Sequence, residues 1–230
     1  MSLKLIIGNH NYSSWSLRGW FYLRASRIAF ETIRLPLFTP DWKARVHQYS
    51  AAGRVPVLLD GELAVWDTTA IFAYLQEGYP NAIGWPKDKC ARAQARSIAA
   101  EMHSGFMAVR DELPQNIRAR VPLALASRSA ACQSQVARIF DIWTSCRDRF
   151  SDQGPWLFGE ISIVDVMYAP VALRFVTYNI PVPGRAAEFV DAVTNHPAIQ
   201  EWQALAVAEE EALDFIDNLY PIDQTPLTQG

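Results

Sequence analysis

The stretch Leu3-Lys4-Leu5-Ile6-Ile7-Gly8-Asn9-His10-Asn11-Tyr12-Ser13-Ser14-Trp15-Ser16-Leu17-Arg18 joins two different periodicities. Leu3 to Gly8 is a short apolar run of the kind buried in a sheet, and Asn9 to Ser14 is a polar turn rich in helix-capping residues. Leu17, Trp20, Phe21, Arg24 and Ile28 follow at three- and four-residue steps, which predicts a helix started by Ser13, Ser14 or Ser16. Phe30 to Leu35 reads as a second strand. A strand, a crossover helix and another strand make a parallel pair.

Beyond this unit a loop and a short helix cover Pro40 to Tyr49. Pro56-Val57-Leu58-Leu59 and Glu62 to Trp66 then flank Asp60-Gly61, a hairpin signal. Asp67, Thr68 and Thr69 cap a helix carrying Ile71, Phe72 and Leu75 that ends near Gly78 and Pro80. Strand-helix-strand followed by strand-strand-helix is the plan of an α/β thioredoxin-like domain, here residues 1–80. Tyr79 to Lys89, with two prolines and a glycine, reads as a linker.

From there on no strand pattern is present, and residues 88–230 are expected to form an all-α helical bundle domain. Ile98, Met102, Phe106, Val109 and Leu113 make one apolar stripe, and Val136, Ile139, Phe140 and Trp143 another. Further helices are expected over Ser162 to Tyr178, Gly184 to Asn195 and Pro197 to Leu213.

Half of the 230 residues are hydrophobic, so the chain can bury a substantial core, and disorder is not the default. Eight Trp, eight Tyr and eleven Phe supply core, interface or apolar-pocket surface. A net charge of −3 without a run of Lys or Arg argues against a nucleic-acid partner. No apolar run approaches the roughly 20 residues that span a bilayer, and Met1 to Leu5 leads straight into the first strand, so a cytoplasmic protein is expected. Cys90, Cys132 and Cys146 match neither a disulfide framework nor a metal-ligand pattern, and His10, His47, His103 and His196 lack metal-binding spacing. No metal is expected.

A serine between a strand and a helix N-terminus suits thiolate chemistry, because free amides there favour anions and a hydroxyl hydrogen bond lowers a thiol's pKa. Ser13 or Ser14 fits that role; the plainer reading is a helix cap. Val55-Pro56 is a bond where a cis peptide is cheap, and such a bend turns the Val55 backbone toward an extended ligand. Asp67-Thr68 at a helix start suits a carboxylate, or simply a cap.

Taken in order, Tyr12-Ser13-Ser14-Trp15-Ser16-Leu17-Arg18, Gly53-Arg54-Val55-Pro56-Val57-Leu58, Asp67-Thr68-Thr69-Ala70-Ile71 and Ser162-Ile163-Val164-Asp165 resemble the cytosolic glutathione S-transferases over nearly the whole chain. The first block is most similar to the serine-type branch that includes the zeta class, where Ser-Ser-Cys-Ser fills the turn; Trp15 stands in the place of the cysteine. The resemblance implies glutathione as co-substrate, with Ser13 as the thiolate-activating hydroxyl and Ser14 its competitor. It implies that Val55, before a cis Pro56, pairs with the cysteinyl backbone, and that Asp67 and Thr68 hold the γ-glutamyl end. Relatives more often carry Glu-Ser or Gln-Ser at those two positions. Arg54, often Lys or Gln in relatives, is implied at the glycine-end carboxylate.

On the helical side, Met102, His103, Phe106 and Arg110 are candidates for the co-substrate pocket. Arg110, Arg118 and Arg120 either favour an anionic co-substrate or form a solvated face. Ser162 and Asp165 resemble the family's capping box, a structural device. The implied activity is conjugation of glutathione to small apolar electrophiles, as in detoxification, by a homodimer. The alternatives are a cis-trans isomerase of the maleylacetoacetate type and a non-catalytic glutathione-binding scaffold. A thioredoxin-type redox enzyme is disfavoured because the first turn has no cysteine.

Overall fold

The computed structural model of the chain describes residues 2–220; the last part of the expected 88–230 domain lies outside them. β1 (Leu3–Ile7) is followed by α1 (Ser14–Ala25), and β2 (Phe30–Arg34) pairs parallel to β1 with Leu3 opposite Phe30. α2 (Pro40–Tyr49) leads to a hairpin of β3 (Val57–Asp60) and β4 (Leu63–Trp66), in which β3 runs antiparallel to β1. The four-stranded sheet has the order β2-β1-β3-β4, and α3 (Thr68–Gly78) packs beside α1. This is the thioredoxin-like plan expected from the order of elements. Leu5, Ile6 and Ile7 are all fully buried because both faces of the sheet are covered, so the central strand reads as a continuous apolar run.

The helical part comprises α4 (Lys89–Ser104), α5 (Met107–Glu112), α6 (Ala130–Phe150), α7 (Ile163–Thr177), α8 (Ala186–Thr194), α9 (Pro197–Val207) and α10 (Asp214–Asp217). α7 is apolar on nearly every face, and it lies against α1, α4 and α8. A helix of that composition has to be enclosed. It thereby joins the core of the sheet domain to the core of the bundle.

Two expectations about helix extent are corrected. The stripe from Ile98 to Leu113 is buried throughout, but it belongs to two helices, not one. Gly105 is extended and Phe106 takes a left-handed conformation at φ 58°. A Cβ on Gly105 would stand 2.8 Å from Glu101 O, so glycine permits this close turn. The last long helix stops at Val207, not Leu213. Past it, Glu209 and Glu211 offer their carbonyls to the Arg118 guanidinium, and that competing pairing replaces helical hydrogen bonds.

Glu209 is the centre of a latch between the chain's two ends. Its carboxylate accepts from the His10 amide at 2.7 Å and the Asn11 amide at 3.0 Å, and it meets His10 Nδ1 at 2.7 Å and Arg34 at 3.3 Å. Burial pushes the Glu209 carboxyl up, but the His10 ring and the two amides more than offset this and hold it below its usual value of 4.5. With a depressed folded pKa, the stabilisation is complete above about 4.5 and is lost as pH falls through the lower folded value. Glu209→Gln is expected to cost about 2 kcal/mol at neutral pH by urea unfolding. The deficit relative to the parent should shrink on acidification below that value.

Candidate active site

A cleft of about 780 Å³ opens where the C-terminal end of the sheet meets the start of the helical domain. It is lined by Ser13 and Trp15 of the first turn, by Leu37, Phe38 and Trp42, by the 52–56 loop, by Trp66, Asp67 and Thr68, and by His103 and Ser104. Ser13, Arg54, Val55, Pro56, Asp67, Thr68 and His103, picked from four separated blocks of sequence, therefore share one wall system. A larger cavity of about 940 Å³ lies elsewhere, between residues 84–91 and the end of α6. None of the candidate site residues lines it.

Ser13 is the N-cap of α1, and its Oγ accepts from the Ser16 amide at 3.3 Å. The Ser13 and Ser16 hydroxyls are hydrogen-bonded at 2.8 Å, while Ser16 Oγ accepts from the Gly8 amide at 3.0 Å. Capping and a place on the cleft wall are thus held by the same hydroxyl. Ser14 points elsewhere: its Oγ accepts from Arg174 Nη2 at 3.3 Å, toward α7.

The Val55–Pro56 peptide is cis, and Gly53 shapes the loop ahead of it at φ 60°. A Cβ at Gly53 would meet His47 Cε1 at 2.7 Å. Arg54 is exposed at the rim, Val55 is half-buried, and Pro56 packs against Gly19 of α1.

Asp67 caps α3, accepting from the Thr69 amide at 2.9 Å and the Thr69 hydroxyl at 2.6 Å, and its backbone has φ 72°. Its other carboxylate oxygen, Oδ2, lies 3.4 Å from His103 Nε2, a contact that ties the helical domain to the cleft. Beside it, the buried Thr68 Oγ1 has no hydrogen-bond partner. An orphan hydroxyl at a helix N-terminus is a natural receiver for a carboxylate. These features fit a small peptide with a charged amino-acid end.

The remaining candidates lie outside the lining. Met102 and Phe106 are 1% and 6% exposed and pack in the core. Arg110 donates to Gly105 O at 3.0 Å and to Met102 O, closing the C-terminus of α4. Arg118 bonds Tyr12 Oη at 2.7 Å as well as the carbonyls of Glu209 and Glu211, and Arg120 bonds Ile117 O and Ala119 O. These three arginines therefore satisfy backbone carbonyls and are not a solvated face.

Trp15, Phe38 and Trp66 line the cleft but were not singled out as site residues from the sequence. Aromatic residues at a turn and a strand end look the same whether they fill a core or a cleft. Burial pushes the Cys132 thiol up to about 11 and Cys146 to about 12, which leaves both unreactive. Among the described residues no cluster of His, Cys, Asp or Glu is arranged to hold a metal, and no helix is long and apolar enough to cross a membrane.

Residues 12–77 match the family model described as "Glutathione S-transferase, N-terminal domain", and residues 93–202 match "Glutathione S-transferase, C-terminal domain". A Caenorhabditis elegans protein named "Probable maleylacetoacetate isomerase" is 29% identical over 104 residues, which are 45% of this chain and 48% of the relative. The chain thus matches about half the length of that curated relative. A glutathione transferase homolog from Burkholderia GL BGR1, solved with bound glutathione, is 23% identical and covers 91% of this chain and all (100%) of its own, at a TM-score of 0.67. A theta class glutathione S-transferase from Xanthomonas axonopodis pv. citri, also with glutathione bound, is 21% identical and covers 87% of this chain and 96% of its own, at a TM-score of 0.61. Two domain models lie in the right order on the two halves of the fold, and the chain belongs to the glutathione S-transferase family.

Proposed function

We propose that the protein is a serine-type, zeta-like glutathione transferase that joins the thiolate of glutathione to small apolar electrophiles in the cytoplasm, with Ser13 stabilising the thiolate. The observation that carries this reading is the Ser13 hydroxyl on the cleft wall, bonded to Ser16. In the structure Ser13 Oγ donates to Ser16 Oγ, and in this mechanism the Ser13 proton turns from Ser16 to the sulfur when glutathione binds. Donation to the ionised form of a thiol lowers its pKa, and the N-terminus of α1 adds to the effect. The thiolate then attacks the electrophilic carbon, and the leaving group departs with its electron pair.

In this reading the Val55 backbone pairs with the cysteinyl unit, Asp67 and Thr68 hold the γ-glutamyl end, and Arg54 meets the glycine carboxylate. His103, Trp15, Phe38 and Trp66 flank the co-substrate. The protein acts as a homodimer, and β4, an edge strand, leaves Leu63 about half exposed for such a contact.

A second reading, reversible addition of the thiolate to a double bond with cis-trans isomerisation, is favoured by the similarity to the nematode protein. It would show as turnover of an unsaturated diketo acid without net consumption of glutathione.

Calorimetric titration with millimolar glutathione is expected to give saturable heat, and consumption of a chlorinated nitrobenzene is expected to depend on glutathione. Heat without turnover of any electrophile makes the protein a non-catalytic scaffold. Absence of heat on folded material removes the reading altogether.

A further inference from the structure

Arg18 lies one turn after Ser14 on α1 and is wholly buried, with its Nε donating to Met167 O of α7 at 3.0 Å. Its two terminal nitrogens, Nη1 and Nη2, are sealed from solvent and have no hydrogen-bond partner. Arg174 of α7 is buried as well, and besides Ser14 it bonds Leu113 O at 2.8 Å and Pro170 O at 3.2 Å. Arg110 approaches from α5. The guanidinium carbons of Arg18 and Arg110 stand 4.4 and 5.1 Å from the centroid of the Trp15 ring. Among the described residues none of these three cations forms an ion pair with a carboxylate.

Such a gathering is costly without a counter-charge, because each guanidinium has given up water and repels the others. Burial, then the nearby Arg110 and Arg174, hold the Arg18 guanidinium well below its usual range. Burial, then Arg110, bring Arg174 down to about 10. Buried polar groups are ordinarily satisfied, so the two bare N–H edges of Arg18 mark a missing partner. A guanidinium edge with two parallel donors matches the two oxygens of a carboxylate.

We propose that Arg18, Arg110, Arg174 and the Ser14 hydroxyl form an anion site behind Trp15 that takes the carboxylate of a small organic acid, gripped by the free edge of Arg18. Trp15 lines the cleft, and its ring also packs on the Arg18 and Arg110 guanidinium groups, so it stands between the cleft and the site. The carboxylate belongs either to a free acid or to a co-substrate seated beside the cleft.

Thermal unfolding of the full chain in zwitterionic buffer, with sodium acetate compared with sodium chloride at equal ionic strength, tests it. Acetate is expected to raise Tm by several degrees in a saturable way, beyond the effect of chloride. Arg18→Met should abolish that shift. Arg18→Lys, which keeps a charge but not the fork, should weaken acetate at least tenfold and covers the case in which the methionine variant fails to fold. A parent protein indifferent to acetate, or an equal shift in the parent and the lysine variant, overturns the site.

Repeating the thermal unfolding with saturating glutathione, whose own Tm shift is measured separately, should leave the acetate shift in place. Its loss there would assign the arginines to a glutathione carboxylate and overturn a separate site. Turnover of acrylate against methyl acrylate then distinguishes the two sources. A selective loss with acrylate in Arg18→Lys assigns the site to the co-substrate, and an unaltered ratio assigns it to a free acid.

Discussion

Ser13→Ala is expected to lower glutathione-dependent turnover by about 100-fold or more, in line with loss of a single preorganised donor to a developing or resident anion. Glutathione affinity should change little, because in the proposed binding mode the peptide is held mainly by the 54–56 and 67–68 segments. The helix cap is lost too, at about 1 kcal/mol, so kinetics must be read on material shown to be folded. Ser14→Ala separates the two hydroxyls: Ser14 faces Arg174, and its loss should leave the sulfur's pKa near that in the parent enzyme. The thiolate absorbance of bound glutathione as a function of pH checks both. An upward shift in Ser14→Ala and none in Ser13→Ala would move the catalytic role to Ser14.

Asp165→Ala is expected to cost about 3–5 kcal/mol of stability, more than a simple cap, because three buried donors lose their acceptor. The carboxylate takes the Ser162 amide at 2.7 Å, the Ser162 hydroxyl at 2.8 Å and the Leu157 amide at 2.8 Å. Burial raises the Asp165 carboxyl from 3.8 to about 6, despite the hydrogen bonds that oppose it. A raised folded pKa means that this titration contributes fully below 3.8 and that its contribution is lost as pH rises toward 6. Asp165→Asn, which does not titrate, should therefore show its largest deficit near the acidic end of that window. Urea unfolding at several pH values measures both variants. Since α7 also supplies the Met167 carbonyl to Arg18 and Arg174 to Ser14, loosening its start should reach the first turn of α1.

Local chemistry made much of this legible in advance. Asp60-Gly61 announces a hairpin, Asp67 to Thr69 mark a helix start, and Ser162 with Asp165 spells out a capping box within four residues. The family motifs lie on such local features, which is why the resemblance names Ser13, Val55, Pro56, Asp67 and Thr68 as candidates, and all five line the same cleft. What escaped is set by partners distant in sequence. Arg18 sits on α1 like any solvated arginine until α7 covers it. Phe106 continues the apolar stripe of α4 perfectly well, yet the backbone turns at Gly105. Met102 and Phe106 follow the same logic in reverse: their spacing admits a pocket or a core, and packing against α7 decided for the core. The direction of the Ser14 side chain depends on Arg174, 160 positions away in the chain.

The grip of Glu209, Glu211 and Asp217 on residues 10–12 has a consequence for biogenesis. During translation His10 leaves the ribosome 199 residues before Glu209, so the segment bearing Ser13 stays unclamped over that interval. A ribosome-stalled fragment ending before Glu209 would lack the anchors of the turn that bears Ser13.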